Sequence, residues 1–229
     1  STHKFLFNES ETENYSVKLQ DGVWANSYNS ALQIIPNQNV DVYHKGKLVP
    51  GVEIFPYIRF LKPILGDAML DFGGATSSLG IDKERKVFTN NFNKAKVAPI
   101  ICYESIYGEF VTDYVKNGAN LLAIMTNDSW WENSEGHKQL LSYARLRAIE
   151  TRREIVRAAN SGISARINAR GDIIEDTFYD DRTVLVTKAN LLDEVSTYTK
   201  IGDLISRIAI FVLGFLIIYH FGEKIASKK

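Results

Sequence analysis

The chain has little that could staple a fold and no surplus of either charge. Cys102 is the only cysteine among 229 residues, so an internal disulfide is excluded and stability must come from packing. The same scarcity leaves the redox compartment open. Lys and Arg total 27 and so do Asp and Glu, which removes any general pull toward nucleic acid or acidic surfaces; no nucleic-acid partner is expected. The sequence opens at Ser1 without an initiator Met, and no signal-peptide pattern precedes the first strand-like segment. The expectation is a downstream piece of something longer. A glycine-rich turn at 73–78 lacks the Gly-Lys-Ser/Thr that a phosphate-cradling loop needs.

What is present supports a sizeable core. Hydrophobic residues make up 45% of the chain and aromatic residues 11%, which excludes wholesale disorder and suits one large domain or a domain with an appendage. The apolar run 97–101 reads as a buried strand that ends at Cys102. Behind it, apolar positions across 106–115 recur at helical spacing, and Asn117-Gly118 supplies a stop. Cys102 is thus expected at a strand-to-helix junction, where helix N-terminal amides would favour the thiolate. An inert core thiol fits the same local pattern.

Other segments follow in order. Residues 4–7 are strand-like, 8–21 form an acidic loop with Glu9, Glu11 and Glu13 solvated, 28–35 read as a central strand and 40–45 as an alternating one. A Pro-punctuated apolar stretch at 55–71 reads as a packed helix or flap. Residues 120–126 form a second continuous apolar strand, of the kind covered on both faces. His137, Leu140, Leu141, Ala144 and Ala148 mark one face of a long helix whose charges include Arg147, Arg152 and Arg153. Strands are expected at 155–159 and 183–187, with a hairpin around 168–170. Strands alternating with helices, then hairpins, indicate a layered α/β fold.

The C-terminal region is different in kind. Residues 201–221 are almost wholly apolar, and a helix of that length reaches about 30 Å, enough to cross a bilayer core. A terminal helix packed on the core is the competing reading, but 208–219 offers no polar face. Asp203 and Arg207, four apart, are spaced to pair or to reach the interface. Lys224, Lys228 and Lys229 follow, and positive charge after a span stays cytoplasmic. The expected division is a partial catalytic domain at 1–198, a transmembrane helix at 199–223 and a basic cytoplasmic tail at 224–229, with the domain on the external side.

Lys45, Glu53 and Cys102 form a chemically suggestive order. A thiolate attacking an acyl carbon needs a cation or backbone donors for the developing oxyanion. Lys45 and the amide after Cys102 can supply them, and Glu53 can hold the lysine charged and aligned. Glu104 is a difficulty, because a carboxylate so near would raise the thiol pKa; it is expected to turn away or to pair with a cation.

Tyr43-His44-Lys45, Leu48-Val49-Pro50-Gly51-Val52-Glu53, Ile101-Cys102-Tyr103-Glu104 and Asn127-Asp128-Ser129-Trp130 together resemble the nitrilase superfamily of carbon–nitrogen hydrolases. Its catalytic set is Glu, Lys and Cys. Within it they resemble the membrane-embedded apolipoprotein N-acyltransferases, as do His137 with 144–150, 160–164 and the closing apolar helix. The resemblance runs from about residue 28 to the C-terminus. It implies a nitrilase-like α/β/β/α sandwich, truncated at the N-terminus, with one C-terminal transmembrane helix. It also implies Cys102 as the acylated nucleophile, Lys45 as oxyanion stabiliser and Glu53 as a supporting carboxylate. Tyr103, Glu104, Asn127 and Trp130 would border the substrate, and His137 would be structural.

The chemistry so implied is ping-pong, from a phospholipid acyl donor through a thioester to the amine of a diacylglyceryl-cysteine apolipoprotein. It needs no metal or organic cofactor, and a monomer in the bacterial inner membrane, facing the periplasm, is expected. The general-base glutamate of the superfamily lies on a strand upstream of the segment matching 4–7, so the chain alone is expected to be inactive. A membrane-tethered hydrolase and a catalytically dead membrane-anchored binding domain are the alternatives.

Overall fold

The computed structural model describes residues 2–8, 16–19, 22–54, 79–89 and 92–226. Glu9, Glu11, Glu13, the flap at 55–71, the turn at 73–78 and Lys228 and Lys229 lie outside the described residues.

Among the described residues the strands form two sheets. In the first, β3 (Trp24–Gln33) pairs antiparallel with β1 (Thr2–Asn8), β2 (Val17–Lys18) and β4 (Asp41–His44). The second contains β5 (Phe88–Thr89), β6 (Lys96–Ile101), β7 (Leu121–Asn127), β8 (Ile155–Asn160), β9 (Ala165–Ile167) and β10 (Ile173–Asp176), in the order β10-β9-β8-β7-β6-β5. The central strands β6, β7 and β8 are parallel, and their neighbours are antiparallel.

The continuous apolar runs explain why those three strands are central. From Ala98 to Ile101 every residue of β6 is buried, which requires cover on both faces. One cover is α1 (Gly108–Lys116) with α2 (Glu135–Thr151), which contribute Val111, Tyr114, Leu141, Ala144 and Ala148 to the core. From the first sheet come Ala31 and Tyr43. Helices, sheet and second sheet thus stack as layers around Ile100, Ile101, Leu122 and Ile124. Ser134 starts α2 by accepting the Gly136 N–H at 3.3 Å. Asn117 ends α1, and Gly118 follows with φ +95°, a conformation that suits glycine.

The structure corrects several expectations. Cys102 opens a five-residue 3-10 turn, Cys102–Ile106, and α1 starts only at Gly108. The thiol therefore does not sit on the N-terminus of an α-helix. Among the described residues, 183–187 pair with no strand, and Val184 and Val186 face solvent. Arg147 and Arg153, read as charges of the long helix, are both buried, and Arg153 lies just beyond its end at Thr151. Arg153 donates to the Ala119 carbonyl at 2.8 Å and to Glu194, so main-chain oxygens satisfy its guanidinium.

A short helix, α3 (Thr197–Ile201), leads into α4 (Leu204–Ala226). The stretch Leu204–Lys224 is predominantly apolar and none of it is buried. It is long and apolar enough to cross a membrane, and it does not pack on the core. Arg207 pairs with Glu109 at 2.5 Å rather than with Asp203, which is occupied capping α4 through Ser206.

Candidate active site

Cys102 occupies the carboxyl end of β6, beside the ends of β7 and β8. That edge of a parallel sheet is where α/β folds open a crevice for ligands. Cys102 has φ +48°, a left-handed conformation that costs a non-glycine residue about 1–3 kcal/mol and is held only by its surroundings. Two contacts hold it. Ser105 donates its hydroxyl to the Cys102 carbonyl at 2.8 Å, and the Ile101 N–H donates to Glu104 Oε2 at 2.7 Å. The thiol is half-buried against the core.

Glu104 has no exposed surface. Its Oε1 accepts the Tyr43 hydroxyl at 2.5 Å and the Gly46 N–H at 2.6 Å. Together with Ile101 these give it three donors, so it turns into the interior and offers nothing to a substrate. Burial raises its pKa, while the bonds from Tyr43, Ile101 and Gly46 and the nearby Arg85 charge pull the other way. Burial and the adjacent Glu104 push the Tyr43 hydroxyl well above its ordinary range, so it stays a donor. One carboxyl group therefore ties the residue after Lys45 to the residue before Cys102.

Lys45 follows β4 and is 1% exposed, with its ammonium 2.7 Å from Glu53 Oε2. The Val49 N–H reaches the same oxygen at 2.8 Å, and Asn29 donates to Oε1 at 3.1 Å. Asn29 also accepts the Lys45 N–H through its carbonyl, at 2.8 Å. A buried ammonium whose carboxylate partner among the described residues is this well-supported Glu53 keeps a fixed position and can turn N–H bonds toward a developing negative charge.

Of the remaining expected residues, Tyr103 lies in the turn after β6, Asn127 ends β7, Trp130 follows it and His137 is on α2. Tyr103 packs edge-on against Tyr107 with ring centroids 5.5 Å apart. The Tyr107 hydroxyl is pushed up to about 12, first by its hydrogen bond with Tyr103 and then by burial. Asn127 is exposed, and its Oδ1 accepts from the Ser129 N–H at 3.2 Å and from Asn160 Nδ2 at 3.3 Å. Trp130 is 73% exposed. Buried His137 stacks on Tyr179 with centroids 4.5 Å apart.

Sequence reasoning passed over Asn29, Tyr43 as a donor, Arg85 and the pair Asp128–Arg157. Asp128 sits between Asn127 and Ser129. Its Oδ2 lies 2.6 Å from Arg157, with both side chains buried, and its Oδ1 accepts the Thr126 hydroxyl at 2.7 Å. Its place in an Asn-Asp-Ser-Trp run was the available signal.

Residues 10–197 match the family model described as carbon–nitrogen hydrolase. The chain belongs to the carbon–nitrogen hydrolase family. Among curated members it is 32% identical over 193 residues to the apolipoprotein N-acyltransferase of Chlorobaculum tepidum, covering 83% of this chain and 36% of that protein. With the apolipoprotein N-acyltransferase of Borreliella burgdorferi it shares 34% identity over 191 residues, covering 82% of this chain and 35% of the other. The chain thus spans just over a third of the length of these curated relatives. Among solved structures, the glutamine-dependent NAD+ synthetase of Acinetobacter baumannii superposes with a TM-score of 0.51 at 15% identity, over 72% of this chain and 28% of that one. That likeness speaks to the fold alone.

Proposed function

We propose that this carbon–nitrogen hydrolase chain is the thiol-bearing part of an N-acyltransferase that matures lipoproteins. The observation that carries the reading is the Glu104 bridge, which links the Lys45–Glu53 pair to the Cys102 turn. The similarity to apolipoprotein N-acyltransferases supplies the substrate class.

The Cys102 sulfur attacks the ester carbonyl of a phospholipid, and Lys45 with the amide following Cys102 stabilises the oxyanion. Collapse of that intermediate breaks the ester bond. The lysophospholipid leaves as an alcohol after taking a proton, and the acyl chain remains on sulfur as a thioester. The free α-amino group of a diacylglyceryl-cysteine lipoprotein then attacks the thioester. An amide forms, the amine loses a proton, and the thiolate returns. Glu53 holds Lys45 in place throughout, while Tyr103, Asn127 and Trp130 border the entrance. Glu104 acts from behind, by fixing the turn.

The proposed arrangement is a site-bearing domain at 1–198, a membrane segment at 199–223 in which α4, from Leu204, is the part that crosses the bilayer, and a basic tail at 224–229. Lys224 and the lysines beyond it favour the cytoplasmic side, which puts the domain on the periplasmic face of the inner membrane. We propose a single copy as the working unit. This chain, just over a third of its relatives' length, is proposed not to turn over by itself.

The test uses the full-length protein in phospholipid vesicles with a diacylglyceryl-cysteine peptide. Transfer of an acyl chain to the peptide amine, abolished by Cys102→Ala, supports the reading. Release of free fatty acid or hydrolysis of small amides, without any acylated peptide, would replace it with a hydrolase.

A further inference from the structure

The base of α4 meets the domain at a knot of polar groups that the proposed chemistry does not use. Glu109 is the second residue of α1. Its Oε1 accepts the Asp203 N–H at 2.8 Å and Arg207 Nη2 at 2.5 Å. Asp203 caps α4: its Oδ1 accepts the Ser206 N–H at 3.1 Å, and its Oδ2 accepts the Ser206 hydroxyl at 2.6 Å. Gly202, just before, has φ +66° and passes directly over the Glu109 carboxylate. A side chain there would be both strained and obstructed.

The other side of the knot leads back to the thiol. Arg147 pairs with Glu150 at 3.0 Å and donates to the Ile106 carbonyl at 3.0 Å. Ile106 closes the 3-10 turn that Cys102 opens. Ser196 donates to the Glu150 carbonyl and caps α3 by accepting the Thr199 N–H at 3.0 Å. Gly108 permits this closeness, since a Cβ there would stand 2.5 Å from the Tyr198 hydroxyl and 2.9 Å from Arg147 Nη1. Bonded contacts and short backbone segments thus run from the Cys102 turn to the first turn of α4.

The Glu109–Arg207 pair is about half exposed, and an exposed pair contributes little stability alone. Its geometry matters more than its energy. One oxygen holds both the amide of the capping residue and a side chain four residues on, which lie on the same face of the helix. Rolling α4 about its axis, or tilting it from the domain, breaks both bonds.

We propose that Glu109 is a positioning residue that sets the attitude of α4 relative to the Cys102 turn, and thereby the depth and angle at which the thiol meets a lipid ester. This rests on the reading that α4 crosses the bilayer and that a phospholipid donates the acyl chain.

The experiment compares Glu109→Ala and Glu109→Gln in the full-length protein in phosphatidylethanolamine-containing vesicles. Three quantities are read: acylation of Cys102, alkylation of Cys102 by water-soluble iodoacetamide, and a spin-label distance between Arg170→Cys and Phe221→Cys in a Cys102→Ala background. Glu109→Ala is expected to broaden the distance distribution and slow acylation about tenfold or more. Alkylation is expected to stay within about twofold of the parent, because the thiol itself is untouched. Glu109→Gln keeps an acceptor and falls between. An unchanged distance distribution with parental acylation would overturn the inference, as would alkylation falling in step with acylation. A parent that is never acylated would defeat the functional reading alone, and the distance measurement would still decide the role of Glu109.

Discussion

Gly46 donates its N–H to Glu104 Oε1 at 2.6 Å, although 58 residues separate the two. Through that contact the loop carrying Lys45 is fastened to the turn carrying Cys102, and the Ile101 N–H completes the fastening at 2.7 Å. The two backbone donors come from different parts of the fold, the loop after β4 and the end of β6. A neutral acceptor with one oxygen cannot serve both.

Glu104→Gln is therefore expected to destabilise the fold by about 1–3 kcal/mol, since its amide must face one backbone N–H donor to donor. Tyr43→Phe leaves both backbone bonds in place and is expected to lose about 1 kcal/mol. Urea unfolding of the two variants checks the order. Equal losses would mean that the Tyr43 hydroxyl, not the backbone pair, carries the contact.

Gly46 is limited by its neighbours: a Cβ would lie 2.5 Å from Arg85 Nη1 and 2.9 Å from the Asp82 carbonyl. Arg85 stacks on Phe110 with its guanidinium 3.7 Å from the ring centroid. Gly46→Ala must displace that stack and is expected to lose about 1–3 kcal/mol. Adding Arg85→Met should recover part of the loss, leaving the Asp82 carbonyl as the remaining obstacle. A double-mutant cycle measures the coupling, and strict additivity would refute it.

Asp128 and Arg157 form a pair with 0% and 1% side-chain exposure. Asp128→Ala strands the guanidinium and is expected to cost about 3–5 kcal/mol, whereas Asp128→Leu with Arg157→Met removes both charges and should restore most of the stability. Thermal unfolding of both proteins decides. A double variant as unstable as the single would show that packing, not charge, dominates there.

His44 gives the fold a pH dependence of known sign. Burial lowers its pKa below the ordinary 6.5; Asp82 opposes this, and Lys4 and Lys86 reinforce it. The unfolded chain then binds a proton more readily than the folded one, so protonation favours unfolding. The contribution is fully present above 6.5 and declines as pH falls from there toward the depressed folded value. Urea midpoints measured from about pH 8 down to about pH 5 should fall through this window, and His44→Gln should flatten that part of the curve.

Much of the fold was legible because its signals are local. Continuous apolar runs marked β6 and β7, and Asn117-Gly118 marked the end of α1. What escaped depends on partners distant in sequence. Arg147 reads as one more charge on α2 until the Ile106 carbonyl and Glu150 are placed beside it. Arg207 reads as a partner for Asp203 until Glu109 arrives from α1. Residues 183–187 carry the β-branched composition of a strand, but pairing needs a neighbour that no local pattern can supply. Of the candidate site, Lys45, Glu53 and Cys102 stand out by their order and by resemblance. Asn29, which donates to Glu53, left no pattern of its own, and Tyr43 was visible only as part of the motif before Lys45, not as a donor to Glu104.

The central claim is that Lys45 assists a thiol that takes up an acyl chain. The most direct measurement is the intact mass of the full-length protein after incubation with phospholipid vesicles, in the parent and in Lys45→Met. The parent should gain one fatty acyl chain, mapped to Cys102, and Lys45→Met should gain none on the same timescale. Acylation of Lys45→Met at the parental rate would contradict the claim.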